Sequence, residues 1–427
     1  MDILNITEKT QIDETVEEYE FHSYEPIAGT NLNNPGEIRI NIETQDLFTH
    51  PAESYLVFDG KLVKAADDAE YADADVVTFT NNAMMHLFNN IKYQLSGQEI
   101  ESVFHPGQAT TMLGLLKYPD DFPKSQGLNQ LWYKDSGTDA HLRNNMGFGF
   151  RQSYIIQKPN PKGSFSFRVP LKHIFGFCDD YEKVVYGFKH QLTLVRKGDN
   201  DAIFRTGEDV GKVVLTKLSW YVPHVLPALE QNLALYKTIE SKASLPLGYR
   251  MIQCDSIPVP QTRNFTWRLS VKSAPEKPRW IIIGFQTGKA GNQEHNPSIF
   301  DHCNLTNMVV MLNSRRYPEI DYDDTNYTQQ KFSRVYGDAA AFRTKFYHLE
   351  HLVSNSNITP ADYKELFPIF VFDVSKQSEK LKNLVTDIQI KAQFSENVAA
   401  NTEAFVVVIS DKSLIFQSDG NKMRVEY

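Results

Sequence analysis

Several short stretches of the chain carry side chains that enzymes and metal proteins use. Asp135-Ser136-Gly137-Thr138 matches the loop of an aspartic protease, where two carboxylates share one proton. Lys134 precedes this Asp and the sequence holds no second D-[ST]-G, so only a second copy of the chain would complete the pair. A turn built from Asp, Ser and Gly is the simpler reading. His348, Glu350 and His351 fall one residue short of the spacing that lays two imidazoles on one helical face with a glutamate as base. His295, Asp301, His302 and Cys303 are metal-ligand types in a loop interrupted by Pro297. Asp321, Asp323 and Asp324 lack the central Gly and terminal Glu of a calcium loop.

"GFQTGKAG" (284–291) is one residue short of a phosphate loop, and Ala290 stands where the magnesium-binding hydroxyl belongs. It reads as a strand leaving a sheet. Asp199, Asn200 and Asp201 follow an alternating run. Consecutive side chains on an extended backbone point apart, so these three cannot all face one cation. Gly198 and Asn200 suit a turn. The expectation is a chain with no catalytic, cofactor-binding or metal-binding residues, no cofactor and no enzymatic activity.

The elements around these residues are mostly strands. Phe188, His190, Leu192 and Leu194 share one parity against Lys189, Gln191 and Thr193. Ile38, Ile40 and Ile42 alternate with polar or charged neighbours, as do Phe165, Phe167 and Val169, Phe265, Trp267, Leu269 and Val271, and Ile388, Ile390, Ala392 and Phe394. Val214, Thr216, Leu218, Trp220 and Val222 share a face of a longer run, and Met423, Val425 and Tyr427 close the chain in the same way. "WIIIGF" (280–285) and "FVVVI" (405–409) are continuous apolar runs suited to strands covered on both faces. Helical signals are few: "NNAMMHLFNN", "GQATTMLGLLKYP" and "PALEQNLALYKTIES", the last placing Leu229, Leu233 and Tyr236 on one stripe. The order of runs in 170–222 repeats loosely in 367–409, which suggests two similar β-domains in tandem.

The 427 residues carry a net charge of −9. That argues against a chain whose main task is gripping phosphates. Cys178, Cys254 and Cys303 are too few and too far apart for a disulfide framework or a CxxC clip, and read as thiols of a reducing compartment. The opening residues show no apolar signal segment. Residues 1–25 hold eight acids and one Lys, which reads as a mobile acidic arm.

Four segments, in order and spacing, resemble the double jelly-roll major capsid proteins of the adenovirus and large-DNA-virus lineage, most nearly those of Maverick/Polinton-type elements and related animal viruses. They are "NNAMMHLFNNIKYQLSGQEIES" (81–102) with its Ile100-Glu101 pair, "VPLKHIFGFCDDYEKVVYGFKHQLTLVR" (169–196), the passage from "LSWYVP" to "WIIIGFQT" (218–287), and "NMVVMLNSRRYPE" (307–319). The chain departs from many relatives at "SKQSEKLKN" (375–383), where they carry a Pro-Ser-Gly stretch.

The resemblance implies an all-β fold of two tandem eight-stranded jelly rolls with a few connecting helices. The expected division is an arm over 1–32, a first roll over 33–222 and a second over 223–427, with a connecting helix at 228–240. It further implies a major capsid protein that forms homotrimers, packs as pseudo-hexameric capsomers into an icosahedral virion and contacts minor or penton proteins. No sequence-specific nucleic-acid contact is expected. A carbohydrate- or protein-binding β-sandwich, lectin-like or spike-like, is the alternative.

Overall fold

The computed structural model describes residues 15–137, 145–269, 276–322, 324–349, 357–376, 386–418 and 423–426. Each half of the chain folds into two facing antiparallel sheets. In the first half the long strand Gly211–Pro227 pairs along one edge with Tyr55–Lys64, which pairs in turn with Ser164–Pro170. Its other edge takes Val16–Tyr24. The facing sheet runs Gly36–Ile42, His190–Arg196, Phe88–Leu95, Gln98–Phe104.

The second half repeats this order. One sheet runs Leu245–Pro258, Thr402–Ser418, Lys277–Thr287, Phe370–Asp373, and the other Asn264–Arg268, Ile388–Phe394, Leu305–Leu312, Arg315–Tyr317. The central strands of the two halves even agree in length, at 17 and 7 residues. The duplication expected from sequence is present, with Ser164–Pro170 as the counterpart of Phe370–Asp373. "PLKHIFGF" itself spans the end of that strand, a 3-10 turn at Leu171–His173 and the start of a short helix, Gly176–Asp180.

Alternation explains most of the cores. Phe188, His190, Leu192 and Leu194 are all buried, as are Ile38, Ile40 and Ile42 opposite them. The long strand differs from its expected pattern. Its inward residues are Val213 and Leu215, then Leu218, Trp220 and Val222. A β-bulge between Leu215 and Lys217 adds one residue and reverses the parity, so Val214 and Thr216 do not share a face with Leu218. Val271 and Tyr427 lie outside the described residues.

A second difference concerns the acidic arm. Residues 16–24 are a paired strand, in register from Tyr24 opposite Trp220 to Val16 opposite Pro227. By position this strand is the counterpart of Leu245–Pro258, so it completes the first roll's sheet. Glu18 and Glu20 on one parity and Glu17, Tyr19 and Phe21 on the other are all exposed, as on an edge strand whose two faces meet water.

The helix Pro106–Lys117 is buried over its whole length. Its residues are small or apolar apart from Gln108 and Lys117, and the buried Lys117 ammonium is paired with Asp179. It leaves the first roll and lies against the second. A Cβ at Gly284 would come within 3.1 Å of Met112 Sδ and 2.6 Å of Phe300. This packing covers the outer face of the "WIIIGF" strand, where Ile282 has no exposure. The buried apolar residues of both rolls therefore form one continuous cluster. No helix among the described residues is long and apolar enough to cross a membrane.

The inward parity has a direct test. Leu192→Ala should lower the unfolding free energy by about 2–5 kcal/mol in urea titration, whereas Gln191→Ala on the other face should change it by about 0.5 kcal/mol or less.

Candidate assembly interface

The residues that suggested chemistry hold loops together instead. Asp199 accepts from the Arg196 guanidinium at 2.5 Å and from the Val213 amide at 2.9 Å. Asp201 accepts from Lys197 Nζ at 2.6 Å and from the Gly291 amide at 2.7 Å. Asn200 donates to the Gly291 carbonyl and accepts from Gln293 Nε2. The acidic knot is thus a turn, and it also clasps the second roll's 291–293 loop. Burial raises the Asp201 carboxyl, but Lys197 and the Gly291 amide outweigh it and hold the group below the usual range.

Asp135 is fully buried, and its partners are Arg151 at 2.7 Å, Asn145 at 2.7 Å and Ser298 Oγ at 2.9 Å. Burial alone would raise its carboxyl; the Arg151 guanidinium reverses that and keeps it low. An aspartate so paired does not share a proton with a second carboxylate. Thr138 lies outside the described residues, as do Glu350, His351 and Asp323. His348 and His295 are exposed, and Asp324 faces solvent. Asp301 binds Lys289 and the Thr287 amide, while His302 stacks on Tyr327 and accepts from the Asn304 amide. Burial and Asp301 push the Cys303 thiol up to about 12. Asp321 is engaged by Arg316 and Asn307. Gly288 turns the chain out of the "WIIIGF" strand at φ +61°. Among the described residues no three His, Cys, Asp or Glu side chains gather as metal ligands would.

A buried polar contact between the rolls involves Glu101, a residue that sequence reasoning noted without giving it a role. Its carboxylate lies at 1% exposure and accepts three backbone N–H groups. Gly176 and Ile252 donate to Oε1 at 3.0 and 2.7 Å, and Phe177 donates to Oε2 at 2.9 Å. Gly176 and Phe177 open a short helix of the first roll, whereas Ile252 belongs to the second. Burial pushes this carboxyl up to about 7 against the pull of the three amides and Lys412.

Close by, Tyr249 and Lys412 of the second roll both donate to the Ile100 carbonyl, and Arg250 forks onto Asp180. Lys117, buried in the same region, pairs with Asp179 at 2.9 Å. A signal was present in sequence: Glu101 shares parity with Val103, on a strand whose buried face has no room for an unpaired charge.

Two surfaces among the described residues expose apolar side chains in a row. The connecting helix Leu229–Glu240 has no buried residue. Tyr236 rests on Tyr186 and Phe48, but Leu229 is 73% exposed and Leu233 53%. Leucines four apart form one stripe, and here that stripe faces water rather than a core. The second surface is the strand Val16–Tyr24, where Val16, Tyr19 and Phe21 are exposed. It is pinned by His224, whose ring stacks on His22 with 3.9 Å between centroids and whose Nε2 meets Tyr24 Oη at 2.8 Å. Burial and the neighbouring His22 push His224 down to about 4.

The family model for the double jelly-roll-like domain matches residues 77–414. Among solved structures, a chain of the Sputnik virophage superposes with a TM-score of 0.66 at 10% identity, covering 99% of this chain and 91% of that one. The Faustovirus major capsid protein gives 0.58 at 10% identity, covering 97% and 93%. The mavirus major capsid protein gives 0.51 at 12% identity, covering 99% and 92%. No curated protein matches the sequence. At these identities the superpositions establish a shared fold.

Two outcomes follow from the geometry. Glu101→Gln turns an amide NH₂ toward backbone donors, and should reduce stability by roughly 2 kcal/mol or more in denaturant titration, since a buried unpaired donor costs about 1–3 kcal/mol. His224 sets a pH dependence for the edge strand. A His whose folded value lies below its free value of 6.5 favours docking only while neutral, so docking is full above pH 6.5 and weakens as pH falls toward about 4. Amide exchange across 16–24 should quicken over that window, and His224→Gln should flatten the response.

Proposed function

The chain belongs to the double jelly-roll-like domain family, and we propose that it is a major capsid protein, a structural subunit that trimerises into pseudo-hexameric capsomers and tiles an icosahedral shell. The observation that carries this reading is the superposition, over nearly the whole chain, on proteins described as viral major capsid proteins. The physical argument is one of symmetry. Two rolls of the same strand order, set side by side in each of three copies, give a block with six similar edges from a three-fold object.

The uncovered stripe at Leu229 and Leu233 supports the same reading, because a large exposed apolar stripe marks an interaction site more often than a bare surface. In this account the stripe is buried by a neighbouring copy. The protein acts in the virion, its further partners are minor or penton proteins, and its loops carry no catalytic site. The net charge of −9 fits a wall around nucleic acid better than a protein that grips it. Kinship with Maverick/Polinton-type elements accords with the mavirus and virophage likeness.

Purified protein should sediment as a trimer or appear as capsomers or shells in negative-stain micrographs. A strict monomer across a wide concentration range, with selective binding on a glycan array, would instead favour a lectin-like sandwich. Leu229→Glu with Leu233→Glu should weaken self-association by about tenfold or more, since burying each leucine contributes about 1.5–3 kcal/mol. The monomer's melting temperature should barely move, because neither side chain is buried in it.

A further inference from the structure

The connecting helix Leu229–Glu240 carries charges as well as leucines on its open side. Its half-buried positions are Asn232, Leu235 and Ile239, and Ile239 packs on the apolar core. Spacings of three and four put these residues on one face. Glu230, Leu233, Ala234 and Lys237 are exposed on the opposite side. With 3.6 residues per turn, residues seven apart stand nearly in line, so Glu230 and Lys237 lie two turns apart along one row. Leu233 and Ala234 fall midway between them. Among the described residues neither Glu230 nor Lys237 has an ion-pair partner.

We propose that this helix docks antiparallel on the same helix of a second copy, across a two-fold axis midway between Leu233 and Ala234. The inference rests on the reading that a neighbouring copy buries the Leu229 and Leu233 stripe, and it names the surface that does so. Reversing the helix about that midpoint carries position 230 onto position 237. Glu230 of each copy then faces Lys237 of the other, and two ion pairs close symmetrically. Leu233 meets Leu233 across the axis. Ala234 beside it is small enough for the helices to approach to the usual packing distance of about 8–10 Å. A parallel pair would instead set Glu230 against Glu230 and Lys237 against Lys237, like charge on like. Opposed helix dipoles favour the antiparallel arrangement as well. The charges choose the orientation, and the leucines supply the affinity.

A contact of this kind is isologous, whereas the contacts that close a three-fold ring are heterologous. The helix therefore joins one trimer to the next rather than closing a trimer. A pair of 12-residue helices is small for a stable interface, so the contact acts through repetition across many copies.

Carbodiimide coupling of the full-length protein under assembly conditions tests the pairing, because it joins a carboxylate to an amine only where the two touch. An equal mixture of unlabelled and isotope-labelled protein should yield a peptide joining Glu230 of one copy to Lys237 of another, recognised by its mixed label in mass spectrometry. Glu230→Lys or Lys237→Glu alone should weaken association beyond the trimer by about fivefold or more at low salt, read by sedimentation. Combining the two should restore it, since both ion pairs are then rebuilt with their signs exchanged. Both side chains are exposed, so the circular dichroism of every variant should match the wild type. If Leu229→Glu with Leu233→Glu weakens association, but no mixed-label peptide forms and the combined reversal restores nothing, the helix pairing is overturned and burial by a neighbouring copy stands. Association indifferent to the leucines as well would overturn both.

Discussion

The carboxylate of Glu101 sits where three backbone amides converge, two from one roll and one from the other. Taking a carboxylate out of water carries a penalty of several kcal/mol, which only good hydrogen bonds offset. Those bonds require the short helix at Gly176 and the strand at Ile252 to stand in one relative position. The surroundings are built to that requirement. Gly176 has no side chain because a Cβ there would fall 1.7 Å from the Arg250 carbonyl. Arg250 in turn reaches Asp180, and Tyr249 and Lys412 close over the Ile100 carbonyl on the adjacent residue. A shift of one roll against the other would strand several buried polar groups at once.

Around this point the two rolls are joined by apolar packing in the middle and polar clasps at the periphery. The buried helix Pro106–Lys117 fills the centre, and Phe188 packs on Phe416 across the junction. Further out, the 199–201 turn holds the 291–293 loop, and Asp135 reaches Ser298. Residue types that resemble catalytic and metal motifs therefore serve cohesion. The duplicated strand order makes the two halves alike, while the connecting helix leaves Leu229 and Leu233 exposed.

Much of the fold was legible in the sequence because alternation survives wherever a strand has one buried face. The runs at 38–42, 165–169, 188–194 and 388–394 read correctly for that reason. The long strand's pattern was misread at Val214 and Thr216 because a bulge leaves no mark in residue type. The edge strand at 16–24 was hidden by its charge: eight acids against one Lys over residues 1–25 suggest a solvated arm, although Tyr19 and Phe21 alternate with Glu18, Glu20 and His22. Leu229 and Leu233 had the spacing of a core stripe, and a single chain cannot say which stripes await a partner. Glu101, Asp201 and Asp135 were visible as acids but not as clasps, since the groups they hold in the other roll, at Ile252, Gly291 and Ser298, lie 90 to 163 residues away in sequence.

The central claim is that the two rolls behave as one cooperative body, fit to be a building block. Native-state hydrogen exchange on the dissociated chain tests this most directly, with His190–Arg196 and Ile388–Phe394 as the reporters, each central to its own roll. If the lock holds, both strands exchange through the same global opening and share one free energy and one denaturant slope. Two well-separated opening energies, with one roll unfolding while the other stays protected, would contradict the account.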